Sequence, residues 1–326
     1  MTYAFGNAQH IGRRSQQQDA FCFSNTGDEA FVSHGGVAAV LADGMGGMQH
    51  GGEASRTAAA AFLNAYRRKN TDEPIRDALY RSVHEANAAV YALALESGAG
   101  GEMGTTIVAA VLHADELHWV SVGDSALLLL RGGQLSQLNA VHNYATILDA
   151  RVAAGQLSAA EALSDPQREA LISHVGAESI PHVDLNGPLR LDAGDTVYLA
   201  TDGLYRTLTA DEMLSYMTGP PQEQCERLVG EALARGRENQ DNVTILALSA
   251  YGSVESREPE PPAEPAPETA GVVPPAAPKR RWAVAAVAAF LLAALLGAGY
   301  WRYVYAAPVP PAAAADSTGA ADGARR

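Results

Sequence analysis

Hydrophobic residues in the first 250 positions fall into two kinds of run. Short, nearly unbroken apolar stretches cover 37–42, 107–113, 117–122, 126–131, 196–200 and 243–248. Runs of this length, bounded by Gly, Asp and Asn, predict strands buried on both faces. Longer stretches repeat their apolar residues at helical spacing. In 74–95 the stripe is Ile75, Leu79, Val83, Ala86, Val90 and Leu93, which predicts a helix. The Ala-rich stretch 53–66, acidic in its first turn, predicts a second helix. Shorter helices are expected at 147–154, 159–163, 210–217 and 222–235. Ala114 and Asp115 lie between the second and third strands, and Gly123, Asp124 and Ser125 between the third and fourth. Connections this short predict antiparallel hairpins, and Gly132 and Gly133 mark another hairpin turn. Clustered antiparallel strands with helices between them predict an α+β domain over 1–250.

The pattern changes after Ala250. Residues 251–281 are dominated by Pro, Glu and Ala and predict an extended, disordered linker. Residues 282–301 then carry no charged side chain. Twenty residues at about 1.5 Å each span roughly 30 Å, the thickness of a bilayer core. A C-terminal transmembrane helix is therefore expected over 282–304, with Trp282, Tyr300, Trp301 and Tyr303 as its aromatic ends. Lys279, Arg280 and Arg281 just before it place domain 1–250 on the cytoplasmic side of the inner membrane. Residues 305–326 would form a short disordered extracytoplasmic tail. The N-terminal stretch lacks the apolar run of a cleavable signal peptide.

Composition adds exclusions. The net charge of −14 and pI near 5.0 argue against a nucleic-acid partner, which needs a broad basic face. The two cysteines, Cys22 and Cys225, belong to no metal-binding spacing and are expected as buried thiols.

Candidate chemistry lies at the strand ends. Asp43 (LADGMGG), Asp124 (VGDS) and Asp202 (ATDG) each follow a predicted strand, and Asp241 (QDN) precedes one. An acidic residue at a strand end, beside a small residue that lets the chain turn, aims a carboxylate at a shared point. Converging carboxylates repel unless something positive sits among them, and Mg2+ or Mn2+ suits an all-oxygen environment. The plainer readings are a strand-to-loop turn at Asp43, a hairpin turn at Asp124, an Asx-turn at Asp202 and a turn residue at Asp241. Near the N-terminus, Arg14 and Asp19 lie five residues apart. The planar fork of an Arg suits a phosphate dianion, although position alone would make it an ordinary surface charge.

With these motifs in this order, residues 11–248 resemble the metal-dependent Ser/Thr protein phosphatases of the PP2C (PPM) family in their bacterial form. The resemblance is carried by Arg14 through Asp19 to Ala20, DGMGG at 43–47, Gly104-Thr105-Thr106, VGDS at 122–125, Asp202-Gly203, and Asp241-Asn242-Val243-Thr244. It implies an αββα sandwich of two antiparallel sheets flanked by helices. It also implies hydrolysis of phosphoserine and phosphothreonine on proteins, with a cognate Ser/Thr kinase as the opposing partner. Two Mg2+ or Mn2+ ions are implied, Asp43 bridging them, the Gly44 carbonyl on one, and Asp202 and Asp241 on the other. A third ion would use Asp124 and Asp202. Asp19 would orient the attacking water, and Arg14 would clamp the phosphate. Residues 143–175 would form a flap beside the site.

The chain departs from that pattern at Gln18, Met45, Met48 and Val141, the last beside His142. These leave the proton donor to the leaving oxygen unassigned, with His50 weighed as a donor against a surface role. Gln18, Met48 and Val141 also motivate an alternative, a catalytically weak phosphatase-like binding or scaffold module at the membrane.

Overall fold

The apolar runs pair into two antiparallel sheets in the computed structural model, which describes residues 2–45 and 50–251. One sheet runs β1 (Thr2–His10), β11 (Val243–Tyr251), β10 (Thr196–Ala200), β7 (Ala126–Arg131), β8 (Gln134–Gln137). The other runs β2 (Asp19–Phe23), β3 (Val37–Met45), β5 (Ile107–His113), β6 (Glu116–Val122), β9 (Asp184–Arg190), with the short β4 (Gly104–Thr105) paired to β3.

Strand alternation explains the layering. Val37, Ala39 and Leu41 of β3 meet Leu127, Leu129, Val197, Leu199, Leu246 and Leu248 in a core between the sheets. Ala38, Val40 and Ala42 face the opposite way, onto α2 (His50–Tyr66) and α3 (Ile75–Glu96). On the first sheet, Val243, Ile245 and Ala247 turn outward onto α8 (Pro221–Ala234), with α6 (Asp202–Tyr205) and α7 (Ala210–Leu214) beside it. The runs are unbroken because both faces are covered. The expected αββα sandwich is present. The remaining helices are α1 (Glu29–Gly35), α4 (Tyr144–Ala153) and α5 (Ala159–Ser164).

One connection differs from its expectation. β5 and β6 do form a hairpin, with Ala114 and Asp115 at positive φ, and so do β7 and β8. β6 and β7 do not, because they belong to different sheets and the chain crosses between layers at Gly123-Asp124-Ser125. Gly123 makes the corner at φ +99°, where a Cβ would lie 2.7 Å from Thr106. Two strands in separate layers, each buried on both sides, look in sequence just like two arms of a hairpin. Strands β1, β2 and β9 and helix α1 went unpredicted, being polar or half-exposed.

Cys22 and Cys225 are free; Cys225 is buried as expected, Cys22 is half-buried at the edge of the core, and desolvation pushes both thiols up to about 12. No helix among the described residues is long and apolar enough to cross a membrane. The expected linker, transmembrane helix and tail lie outside the described residues.

Candidate metal and phosphate site

The five candidate aspartates are delivered by both sheets to one place. Asp19 starts β2 and sits directly opposite Asp43 of β3. Asp124 is at the crossover between sheets, Asp202 opens α6 at the end of β10, and Asp241 precedes β11. Asp43, Gly44, Asp124, Asp202 and Asp241 line one cavity of about 390 Å³, with Arg14 at its rim. Asp19 lies beneath it, only 5% exposed.

The backbone around Asp43 is fixed tightly. Its N–H donates to Thr106 Oγ1 at 3.0 Å, and its carbonyl accepts from the Thr105 hydroxyl at 2.8 Å and the Thr106 N–H at 2.9 Å. Gly44 allows the next close approach, since a Cβ there would lie 2.0 Å from the Gly51 carbonyl oxygen. Asp19 is held through one oxygen only. Its Oδ2 accepts from Thr244 at 2.6 Å and Thr201 at 3.1 Å, while buried Oδ1 has no hydrogen-bond partner.

Electrostatics show what the cavity lacks. Burial, with Asp19, Asp202, Asp124 and Asp241 around it, holds Asp43 well above the carboxylate range. Burial raises Asp19 to about 7 against the pull of its two threonine hydrogen bonds, and nearby Asp202 and Asp241 add to the rise. Asp202 is raised to about 6, chiefly by burial, with Arg206 opposing the rise. Asp124 is also raised by burial, and Arg206 again opposes it. Clustered buried acids of this kind mark functional sites.

Two arginines supply the positive charge present. Arg14 Nη2 meets Asp241 Oδ2 at 2.8 Å in an exposed pair. Arg206 meets Asp202 at 3.0 Å and Asp124 at 3.1 Å. Asp124, Asp202 and Asp241 are turned toward these guanidinium groups, and no three His, Cys, Asp or Glu side chains among the described residues close on a single point. The donor set nevertheless fits hard divalent cations. It is all oxygen and mutually repelling, desolvated at Asp43, Asp124 and Asp202 and half-exposed at Asp241, with an unpartnered carboxylate oxygen below.

Every predicted site residue is thus brought together. His142, beside Val141, is structural: its Nδ1 accepts the Gly123 N–H at 3.2 Å, and burial lowers its pKa. His50 opens α2 and does not line the cavity. Met48 lies outside the described residues. Gln18 donates its backbone N–H to Asn242 Oδ1 at 2.6 Å, tying the Arg14 loop to the start of β11.

Sequence reasoning missed Arg206 and Glu169, which pair at 2.8 Å at the cavity wall. It also gave no role to the Thr201 and Thr244 hydroxyls under Asp19. The spacing of Arg206 four residues after Asp202 is the helical ion-pair spacing and could have flagged it.

Known proteins share this fold. A family model described as Protein phosphatase 2C matches residues 7–235. Protein phosphatase PhpP of Streptococcus pneumoniae is 28% identical over 69% of this chain and 92% of its own length. The solved serine/threonine phosphatase of S. agalactiae is 28% identical, with TM-score 0.66, over 76% of this chain and all of that one. The catalytic domain of the serine threonine protein phosphatase PstP, solved with 2 manganese ions, is 25% identical, with TM-score 0.61, over 77% of this chain and 99% of its own.

Proposed function

The chain belongs to the protein phosphatase 2C family, and from that premise we propose that it removes phosphate from phosphoserine and phosphothreonine of proteins at the cytoplasmic face of a membrane, opposing a Ser/Thr kinase. The observation that carries the reading is the convergence of four aspartates, three of them desolvated, on one cavity with an arginine at its rim and buried Asp19 directly opposite Asp43. Asp43, the Gly44 carbonyl, Asp202 and Asp241 would hold two Mg2+ or Mn2+ ions. Such ions, when bound, supply Lewis-acid activation of water near neutral pH and neutralise phosphoryl charge.

The protein's own groups then have defined tasks. Asp19 is locked by Thr201 and Thr244 through Oδ2, so Oδ1 is available to accept a hydrogen bond from the attacking water and orient it. Arg14 shares an exposed pair with Asp241, and an exposed pair of this kind costs little to open. A phosphate dianion in the cavity can take the bidentate fork in its place.

The test is hydrolysis of a phosphothreonine peptide by the full-length protein with Mn2+, abolished by EDTA. Arg14→Ala should raise KM for the peptide about tenfold or more, the loss expected for a charge-assisted pair. An unchanged KM would remove Arg14 from phosphate binding. Peptide hydrolysis that persists in EDTA would remove the metal reading. Full activity also separates this reading from the scaffold alternative, which predicts binding without turnover.

Membrane attachment is supported by the uncharged stretch 282–301 and its flanking Lys279, Arg280 and Arg281. The protein should remain with membranes after alkaline extraction, and truncation after residue 281 should release active enzyme. Release of the intact chain by alkali would refute the tether.

A further inference from the structure

Arg206 ends the short α6, and its guanidinium joins three parts of the chain. Nε meets Asp202 Oδ2 at 3.0 Å, and Nη2 meets Asp124 Oδ2 at 3.1 Å and Glu169 Oε2 at 2.8 Å. Asp124 comes from the crossover between sheets, Asp202 from the end of β10, and Glu169 from the stretch after α5. Hydrogen bonds to three backbone carbonyl groups, two of them from side chains, hold the group in place. The Arg206 N–H donates to the Asp202 carbonyl at 2.9 Å, Arg237 Nη1 donates to the Arg206 carbonyl at 2.6 Å, and the Tyr205 hydroxyl donates to the Asp124 carbonyl at 2.9 Å.

The two arginines of the site are therefore unlike. Arg14 is 55% exposed and reaches one carboxylate, itself 39% exposed. Arg206 reaches three, of which Asp124 is 7% exposed. A guanidinium cannot release its proton to relieve crowding. A divalent cation seated between Asp124 and Asp202 would meet that fixed charge and would have to displace it from both partners. Asp202 offers Arg206 only Oδ2, so its other oxygen stays available to an ion shared with Asp241.

We propose that Arg206 takes the place of a third divalent cation, neutralising Asp124 and Asp202 from within the chain and fastening Glu169, with the stretch that carries it, to the edge of the site. The proposal rests on the two-cation reading given under Proposed function. Arg206 acts through the carboxylates it holds, so it is a positioning residue. It makes this site complete with two ions.

The experiment counts Mn2+ bound per chain, by calorimetry and by native mass spectrometry, on the full-length protein. The wild type and Arg206→Lys should each bind two ions. Asp124→Asn alone should leave that number unchanged, because no ion depends on Asp124. Arg206→Gln should bind a third ion, and adding Asp124→Asn to Arg206→Gln should remove it again. Three ions on the wild type, or one ion lost with Asp124→Asn alone, overturns the proposal without needing the Arg206→Gln protein to fold. Two ions on a folded Arg206→Gln protein also overturns it. Absence of Mn2+ from every protein would instead overturn the two-cation reading, a result separable from all the others.

Discussion

Asp43→Asn should lower kcat/KM for a phosphopeptide by about three orders of magnitude or more, roughly 4 kcal/mol of transition-state stabilisation. It should also make the metal-free protein melt at a higher temperature than the wild type. Both effects come from one placement. Asp43 sits on β3 opposite Asp19, shares a cavity with Asp124, Asp202 and Asp241, and is desolvated there. In the absence of cations its charge is opposed by burial and by four other carboxylates. Asn has nearly the same shape, and the backbone bonds to Thr105 and Thr106 do not depend on the side chain. The substitution therefore removes repulsion while leaving the strand as it was. With saturating Mn2+ the order should reverse, because the wild type gains the binding free energy of ions that the variant holds poorly. Thermal melts in EDTA and in Mn2+, beside peptide kinetics, check both halves. A variant that hydrolyses peptide at the wild-type rate, or that melts lower than wild type in EDTA, would contradict this account of Asp43.

The sandwich was legible where residues are buried on both faces. Val37 through Ala42 cannot be anything but a central strand once α2 covers one side and the second sheet the other. It was illegible where one face meets water. β2 begins at buried Asp19 but is otherwise only partly buried, and β9 alternates half-buried with exposed positions, so neither carries a strong pattern. The supposed hairpin at Asp124 failed because periodicity reports burial and not the layer doing the burying. That error bears on function, since a crossover between sheets puts Asp124 within reach of Arg206, the residue that caps α6. The aspartates themselves were readable from strand-end position and small neighbours, and their meeting at one cavity from the family resemblance. Arg206 left only the trace of its i,i+4 spacing from Asp202, and Glu169 left none, because its meeting with Arg206 depends on how the stretch after α5 lies against the end of α6. The bond from Thr244 to Asp19 spans more than two hundred residues of chain and is likewise a product of the tertiary fold.

In EDTA, Asp19→Asn should match wild-type stability near pH 4 and exceed it by about 4 kcal/mol above pH 7, the free-energy equivalent of the Asp19 shift. Asp19 is raised from 3.8 to about 7, mainly by burial. Between those values the folded protein keeps a proton that the unfolded chain releases. Folding there takes up a proton, so the stability Asp19 contributes falls as pH rises through the window. It is constant below 3.8 and above about 7. Asp202, raised to about 6, works in the same direction over the lower part of the window. His118 and His142, lowered by burial, work against it below their unfolded value. Comparing wild type with Asp19→Asn at each pH subtracts those histidines, which the substitution does not touch. The gap measured by urea unfolding should therefore open steadily from pH 4 to 7 and then level. Mn2+ should shrink it most above pH 7, where bound cations stabilise the ionised carboxylates that otherwise oppose folding. Only the difference in Mn2+ affinity between the two proteins changes the gap, each tenfold weaker binding by the neutral Asn variant closing it by about 1.4 kcal/mol. A gap that stays constant with pH would mean that Asp19 is not held protonated by its burial. A gap that Mn2+ leaves unchanged would mean that the cavity above Asp19 is not where the ions bind.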